Sequence, residues 1–184
     1  LFGLGEGLLI VSLTGASPWS VLAQGISIHL NFSIGLITFF ISLFVIFLWI
    51  FLEQKPGIGT ILNAIIIALM IDFSLAFIET PETYFVKLIM AIIAVMIVGL
   101  GSGIYLIANL GPGPRDGLMT GLQKVTNLPI AWVRSGIEVT VIALGWVLGG
   151  TVGVGTILFA LGIGPSVAAS MYTLSAFYKT QSDC

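Results

Sequence analysis

Residues 57–62 read Gly57-Ile-Gly-Thr-Ile-Leu62, and 96 positions later the chain reads Gly153-Val-Gly-Thr-Ile-Leu158. The same offset lays residues 1–72 on residues 97–168 without a gap. Several turn-forming or helix-breaking residues recur at this offset: Gly15 as Gly111, Pro18 as Pro114, and Asn31 as Asn127. Because an internal repeat determines the architecture of a chain that contains it, we expect two equivalent halves.

The composition is typical of a membrane protein. Of the 184 residues, 58% are hydrophobic and 8% are charged, whereas soluble domains carry about 25% charged residues. The mean hydropathy is +1.16. The six Lys and Arg residues are scattered, so a nucleic-acid partner is not expected. The lipid bilayer is the expected surrounding.

The length of the apolar segments predicts six membrane spans, since one helical span needs about 20 apolar residues. The first segment has the length of only part of a span, which suggests that the N-terminus is truncated. The segments are 1–13, 33–52, 58–78, 84–108, 130–149 and 154–177. Three spans per half is an odd number, so the second half should enter the bilayer upside down. The predicted fold is an all-α membrane protein of two inverted three-helix repeats, 1–78 and 84–184, joined by a linker at 79–83.

Charge predicts the direction of the spans. Lys and Arg are enriched in cytoplasmic loops, and in a six-span count only Lys87 lies on the opposite side from the other five: Lys55, Arg115, Lys124, Arg134 and Lys179. Both termini are therefore predicted to be cytoplasmic. Four tryptophans near segment ends are predicted to be interfacial anchors: Trp19, Trp49, Trp132 and Trp146.

The connection after the first span of each half predicts a short broken or re-entrant helix. Ser17 and Gly113 suit a helix N-cap, and the prolines that follow them suit the first turn. The short helices should end near Asn31 and Asn127. Such breaks within a membrane must be shielded by protein or face a water-filled cavity.

Glycines spaced by two mark the first span of each half, at 3, 5 and 7 and again at 99, 101 and 103. They match a dinucleotide fingerprint only superficially, because no strand precedes them. Close helix contact is the better interpretation.

Four stretches resemble the YczE-like family of bacterial integral membrane proteins: 16–20, 111–119, 149–156 and 159–165. The resemblance implies a polytopic helical fold in the bacterial inner membrane. It implies no particular activity and carries over no catalytic residue.

Ionisable residues within a membrane are candidates for function, because burying a charge there is costly. Glu138 should lie near the middle of its span, with Arg134 one turn earlier. A structural Arg–Glu pair is the alternative. Asp72 and Glu6 are further candidates for ion coupling, although Asp72 could also lie near the outer interface.

The start of the second short helix is a candidate anion site. Arg115 and Asp116 follow Gly113 there, where free helix N–H groups favour negative charge. The corresponding residues of the first half are Ser17 and Trp19-Ser20. The alternative is that both charges lie at the cytoplasmic interface.

The sequence favours a transporter or channel for a small solute, with an anion as the first candidate and the site between the repeats. The alternative is an accessory or assembly subunit that binds another membrane protein or a second copy. Nothing in the sequence argues for an enzyme, a metal or a cofactor.

Overall fold

The computed structural model describes residues 1–108 and 110–182, and the side chains up to residue 175. Within these residues all regular structure is α-helical. The helices are α1 (Phe2–Val11), α2 (Pro18–Leu30), α3 (Ile34–Leu48), α4 (Ile58–Phe77), α5 (Tyr84–Ala108), α6 (Pro114–Thr126), α7 (Ile130–Val147) and α8 (Val154–Ser182). The side chain of Lys179, which entered the charge argument, lies outside the described ones.

Four described helices are long and apolar enough to cross a membrane: α4, α5, α7 and α8, the last over Val154–Ser175. A fifth crossing is added if α2 and α3 are one span, but they are bent by 114° at the break between them. The apolar α1 has only ten residues. The fold is therefore an all-helical membrane protein, and the count of six spans stays a prediction.

The predicted breaks are present in both halves. Pro18 and Pro114 are the first residues of α2 and α6, after extended N-cap residues Ser17 and Gly113. Both short helices end at an asparagine in the left-handed conformation, with φ of 55° at Asn31 and at Asn127, a conformation that asparagine tolerates well. Thus α6 is not a continuation of α5.

Contacts between the halves recur with the halves exchanged. The backbone N–H of Gly155 donates to the carbonyl of Thr14 at 2.9 Å, and that of Gly59 donates to the carbonyl of Leu110 at 3.0 Å. Positions 59 and 155, like 14 and 110, differ by 96. Each broken connection is therefore held by the helix start that belongs to the other half.

The paired glycines let helices approach closely, as predicted. In α1, Gly5 lies against Ala94 and Val98 of α5, and Gly101 of α5 lies against Phe2. A methyl group at either glycine would collide with backbone atoms of the other helix. The contact between α1 and α5 depends on this closeness.

The last two helices of each half pack differently. In the first half α3 lies along α4, with Gly35 against Ala68. Asp72 fastens this contact, since it accepts hydrogen bonds from the Ser33 hydroxyl at 2.6 Å and the Gly35 N–H at 2.7 Å. In the second half the described residues of α7 and α8 scarcely meet, and a cavity lies between them.

Candidate functional site

A cavity of about 340 Å³ lies where the helices of the two halves converge, and all eight described helices contribute to its lining. Its lining includes all the sequence-predicted site residues except Asp72. These are Glu6, Ser17, Trp19, Gly113, Arg115, Asp116, Arg134 and Glu138. The repeat thus brings residues from both halves to one polar site.

Glu6 is completely buried in the glycine-rich α1. Its Oε2 accepts hydrogen bonds from the hydroxyls of Ser17, at 2.5 Å, and Ser20, at 2.7 Å. Its Oε1 accepts no hydrogen bond from the described residues and lies 3.6 Å from the guanidinium of Arg115. The first turn of α2 therefore fixes one carboxylate oxygen, and the other faces only a cation beyond hydrogen-bond distance.

Arg115 joins the two halves at the centre of the site. Its side chain is 17% exposed, and its guanidinium carbon lies 5.4 Å from the centre of the Trp19 ring, within the range of a cation–π interaction. Trp19 and Arg115 are equivalent positions of the repeat. The buried indole N–H of Trp19 has no acceptor among the described residues.

Asp116 is held by a residue that the sequence did not single out. Tyr105 of α5 donates its hydroxyl to Oδ2 of Asp116, and its ring packs edge-on against Phe2. The repeat carried a signal, because the equivalent of Tyr105 in the first half is the apolar Leu9. A polar ring in place of an apolar side chain within a span marks a difference between the halves.

Trp49 positions the start of α6, and it was wrongly predicted to be an interfacial anchor. It is 1% exposed, and its indole N–H donates to the carbonyl of Pro114 at 3.1 Å. The hydroxyl of Thr60 donates to the carbonyl of Pro112 at 2.7 Å. These two bonds fix the turn that presents Arg115 and Asp116. Trp19 is also buried, whereas Trp132 and Trp146 are exposed.

Arg134 and Glu138 form an ion pair along α7, with Nε and Oε1 2.9 Å apart. The two side chains are 43% and 20% exposed, so the pair lies at the accessible edge of the cavity. Disruption of a fully buried ion pair costs several kcal/mol, but this pair is partly exposed, so a smaller cost is expected.

Asp72 is not part of this site. It accepts the N–H of Gly35 near the start of α3 and holds α3 to α4, so the structure does not bring it to the other candidate ion-coupling residues. Its partners could not be predicted from the sequence, because Ser33 and Gly35 lie more than 35 positions away.

The charges of the cavity leave a small negative excess. Two guanidiniums, Arg115 and Arg134, face three carboxylates, Glu6, Asp116 and Glu138, so the formal sum is 2 − 3 = −1. The lining also carries the amide of Asn63 and the hydroxyl of Ser102. The rest of the lining is mostly apolar, and a cavity of this size with a few charged groups in an apolar wall can bind a small molecule that carries polar groups.

Long apolar helices around a buried charged centre define an integral membrane protein. The chain belongs to the DUF6198 family, a family of unknown function whose model matches residues 1–172. This agrees with the resemblance to YczE-like proteins.

Three relatives extend over most of the chain. An uncharacterised protein of Haemophilus influenzae is 44% identical over 91% of this chain and 77% of its own length. The Bacillus subtilis membrane protein YczE, described as uncharacterised, is 35% identical over 84% of this chain and 77% of its own length. The uncharacterised YyaS of the same organism is 26% identical over 86% of this chain and 81% of its own. No solved structure matches the chain.

Proposed function

We propose that the protein is a transporter or channel that carries a small polar solute across the bacterial inner membrane, through the cavity between its repeats. One observation carries the proposal. A cavity with five charged side chains lies where the first turns of the broken helices α2 and α6 face each other. Transporters built from repeats bind their substrates at broken helices between the halves. Burying charge within a membrane is costly, so charged residues there are candidates for function.

The proposed architecture is an inverted repeat that crosses the membrane six times, with both termini cytoplasmic. The exchanged contacts support it, since a two-fold relation makes every contact between the halves occur twice. The bonds of Gly155 to Thr14 and of Gly59 to Leu110 are such a pair.

Labelling of single cysteines tests this topology. In a background with Cys184→Ser, Lys55→Cys should react with a membrane-impermeant thiol reagent only from the cytoplasmic side. Thr80→Cys should react only from the outside, because α4 lies between the two positions. Reaction of both from one side would contradict the inverted repeat.

In the proposed mechanism the two halves alternate. In this structure the first half is closed, with α3 on α4, and the second half is open at the cavity between α7 and α8. An exchange of these arrangements would expose the same site to the other side of the membrane, which is how repeat-based transporters achieve alternating access.

The position of each residue in the cavity assigns it a role in solute binding or in proton coupling. Arg115 and Asp116, with Ser17, Trp19 and Gly113, surround the place where the broken helices begin and would hold the solute. Glu138, at the accessible edge of the cavity, and Glu6, at its closed end, are the candidates for coupling to protons, whereas Asp72 would hold the first half closed.

Flux through the purified protein in proteoliposomes tests the function. A broad panel of amines, neutral polar solutes and organic anions is applied to the wild type, Glu138→Gln and the exposed control Glu82→Gln. We expect flux for a subset of the solutes, and loss of its response to a pH gradient in Glu138→Gln alone, because the amide keeps the shape and cannot titrate. No flux for any solute would contradict the proposal and would favour the accessory-subunit alternative.

A further inference from the structure

We infer that the solute is a small organic cation that carries both a protonated amine and an oxygen acceptor. This rests on the proposed function, since it names the chemistry of the molecule that the cavity would accept. The sequence analysis favoured an anion because of the positive charge of Arg115. In the structure Glu6 and the Trp19 ring already lie beside that charge, so an anion is not needed to balance it.

The charge of the lining argues for a cation. Arg115 faces Glu6 at 3.6 Å and the ring of Trp19, and Arg134 is paired with Glu138 at 2.9 Å. Asp116 forms no ion pair with any described residue, and its side-chain contact is the neutral hydroxyl of Tyr105. With all three carboxylates ionised, an anion would raise the excess from −1 to −2, whereas a monocation would reduce it to zero. Within a membrane protein this difference is large, because charges are weakly screened there.

Two buried atoms show which hydrogen bonds the solute would complete. Oε1 of Glu6 lacks a donor, and the indole N–H of Trp19 lacks an acceptor among the described residues. Glu6 is 0% exposed and Trp19 is 7% exposed. An unsatisfied buried polar group is costly, and both residues belong to the lining of the cavity. An ammonium would serve Glu6, and a hydroxyl or carbonyl oxygen would serve Trp19.

The remaining lining suits the carbon skeleton of such a cation. Phe2, Tyr105 and Phe159 contribute aromatic surface to the cavity. Aromatic faces beside carboxylates attract organic ammonium groups through cation–π and dispersion contacts. The volume of about 340 Å³ falls in the range of small-molecule sites.

Four probes with one phenylethyl skeleton separate charge from hydrogen bonding. Phenylethanolamine carries an ammonium and a hydroxyl, phenethylammonium lacks the hydroxyl, phenylethanediol is neutral, and mandelate is an anion. In calorimetric titrations of the purified protein, we expect phenylethanolamine to bind most tightly and mandelate least. A tenfold difference in Kd between the first and the diol corresponds to about 1.4 kcal/mol.

Variants assign the two contacts. Glu6→Gln should weaken both cations about tenfold and leave the diol unchanged. Trp19→Phe keeps a ring and removes the N–H, so it should weaken phenylethanolamine and spare phenethylammonium. Because Glu6→Gln also leaves Arg115 without its partner, Asp116→Asn provides a second test: it should weaken the cations while the amide still accepts from Tyr105. Glu82→Gln, outside the cavity, should change none of the four affinities.

The outcomes separate this inference from the proposed function. Tighter binding of mandelate than of either cation, equal binding of all four, or flux confined to anions would overturn the cation and leave the cavity as a solute site. Absence of binding by all four probes, together with absence of flux across the solute panel, would overturn both.

Discussion

In the first half of the chain α3 lies against α4, whereas in the second half α7 stands away from α8. The breaks of the two halves are nevertheless the same, because α2 and α6 begin at Pro18 and Pro114 and end at Leu30 and Thr126, 96 positions apart in each case. The backbone plan is therefore shared, and the difference resides in side chains.

Four differences between equivalent positions coincide with the different packing. Gly35 and Asp72, which bring α3 onto α4, are both alanine in the second half. In turn Thr38 and Ser42 of α3 correspond to Arg134 and Glu138 of α7. The first half thus has a small residue and a carboxylate that caps α3, and the second half has two long charged side chains beside the cavity. The contact of Asp72 with Ser33 and Gly35 is called the latch of the first half below.

Removal of Arg115 should have the largest effect on stability. Arg115→Met leaves the fully buried Glu6 without a cation, and breaking a buried pair in this way costs about 3–5 kcal/mol. The free energy of unfolding, measured by SDS titration in mixed micelles, should fall by that amount. Adding Glu6→Gln to Arg115→Met should restore part of the loss, since it removes the stranded charge.

Arg134 provides the matched control for Arg115. Its pair with Glu138 is partly exposed, so Arg134→Met should cost no more than about 1 kcal/mol. Equal losses for the two arginines would refute the distinction between the buried centre and the accessible edge of the cavity.

Loss of the latch in the first half should have a smaller effect. Asp72→Ala removes a carboxylate that accepts two hydrogen bonds, from the Ser33 hydroxyl and the Gly35 N–H. A hydrogen bond to a charged group contributes about 1.5–3 kcal/mol. Because the site is partly exposed, we expect a loss of about 2 kcal/mol in the same titration. Glu79→Ala, an exposed carboxylate just beyond α4, should change stability by less than about 0.5 kcal/mol. An unchanged free energy in Asp72→Ala would show that the latch does not hold α3.

The sequence predicted the local features of this fold. Pro18, Pro114, Asn31 and Asn127 act through their own backbone preferences, so their positions alone define the ends of α2 and α6. The Arg134–Glu138 pair could also be predicted from the sequence, because a spacing of four places two side chains on one helix face.

The sequence did not predict contacts that depend on the arrangement of distant helices. The pairing of Arg115 with Glu6 requires the packing of α1 beside α6, and the bond of Tyr105 to Asp116 crosses a turn whose path only the fold determines. The same holds for Asp72, whose partners lie on another helix. For Glu6, Arg115, Asp116 and Asp72 the sequence identified the chemical group but not its neighbour. Tyr105 was not singled out at all.

Cross-linking α7 to α8 tests most directly whether the two halves exchange their arrangements. Ala131 of α7 and Ala168 of α8 are the second-half equivalents of Gly35 and Asp72. The test combines Ala131→Cys and Ala168→Cys in a Cys184→Ser background. The account predicts that a disulfide forms between them under oxidation, since closure of the second half brings the pair within the reach of about 7 Å that a disulfide requires. The cross-link should abolish flux, and reduction of the disulfide should restore it. The pair Ser33→Cys and Asp72→Cys, already in contact, serves as the control and should cross-link at once. Efficient cross-linking of the control, with none between 131 and 168 in the presence or absence of solute, would contradict the exchange.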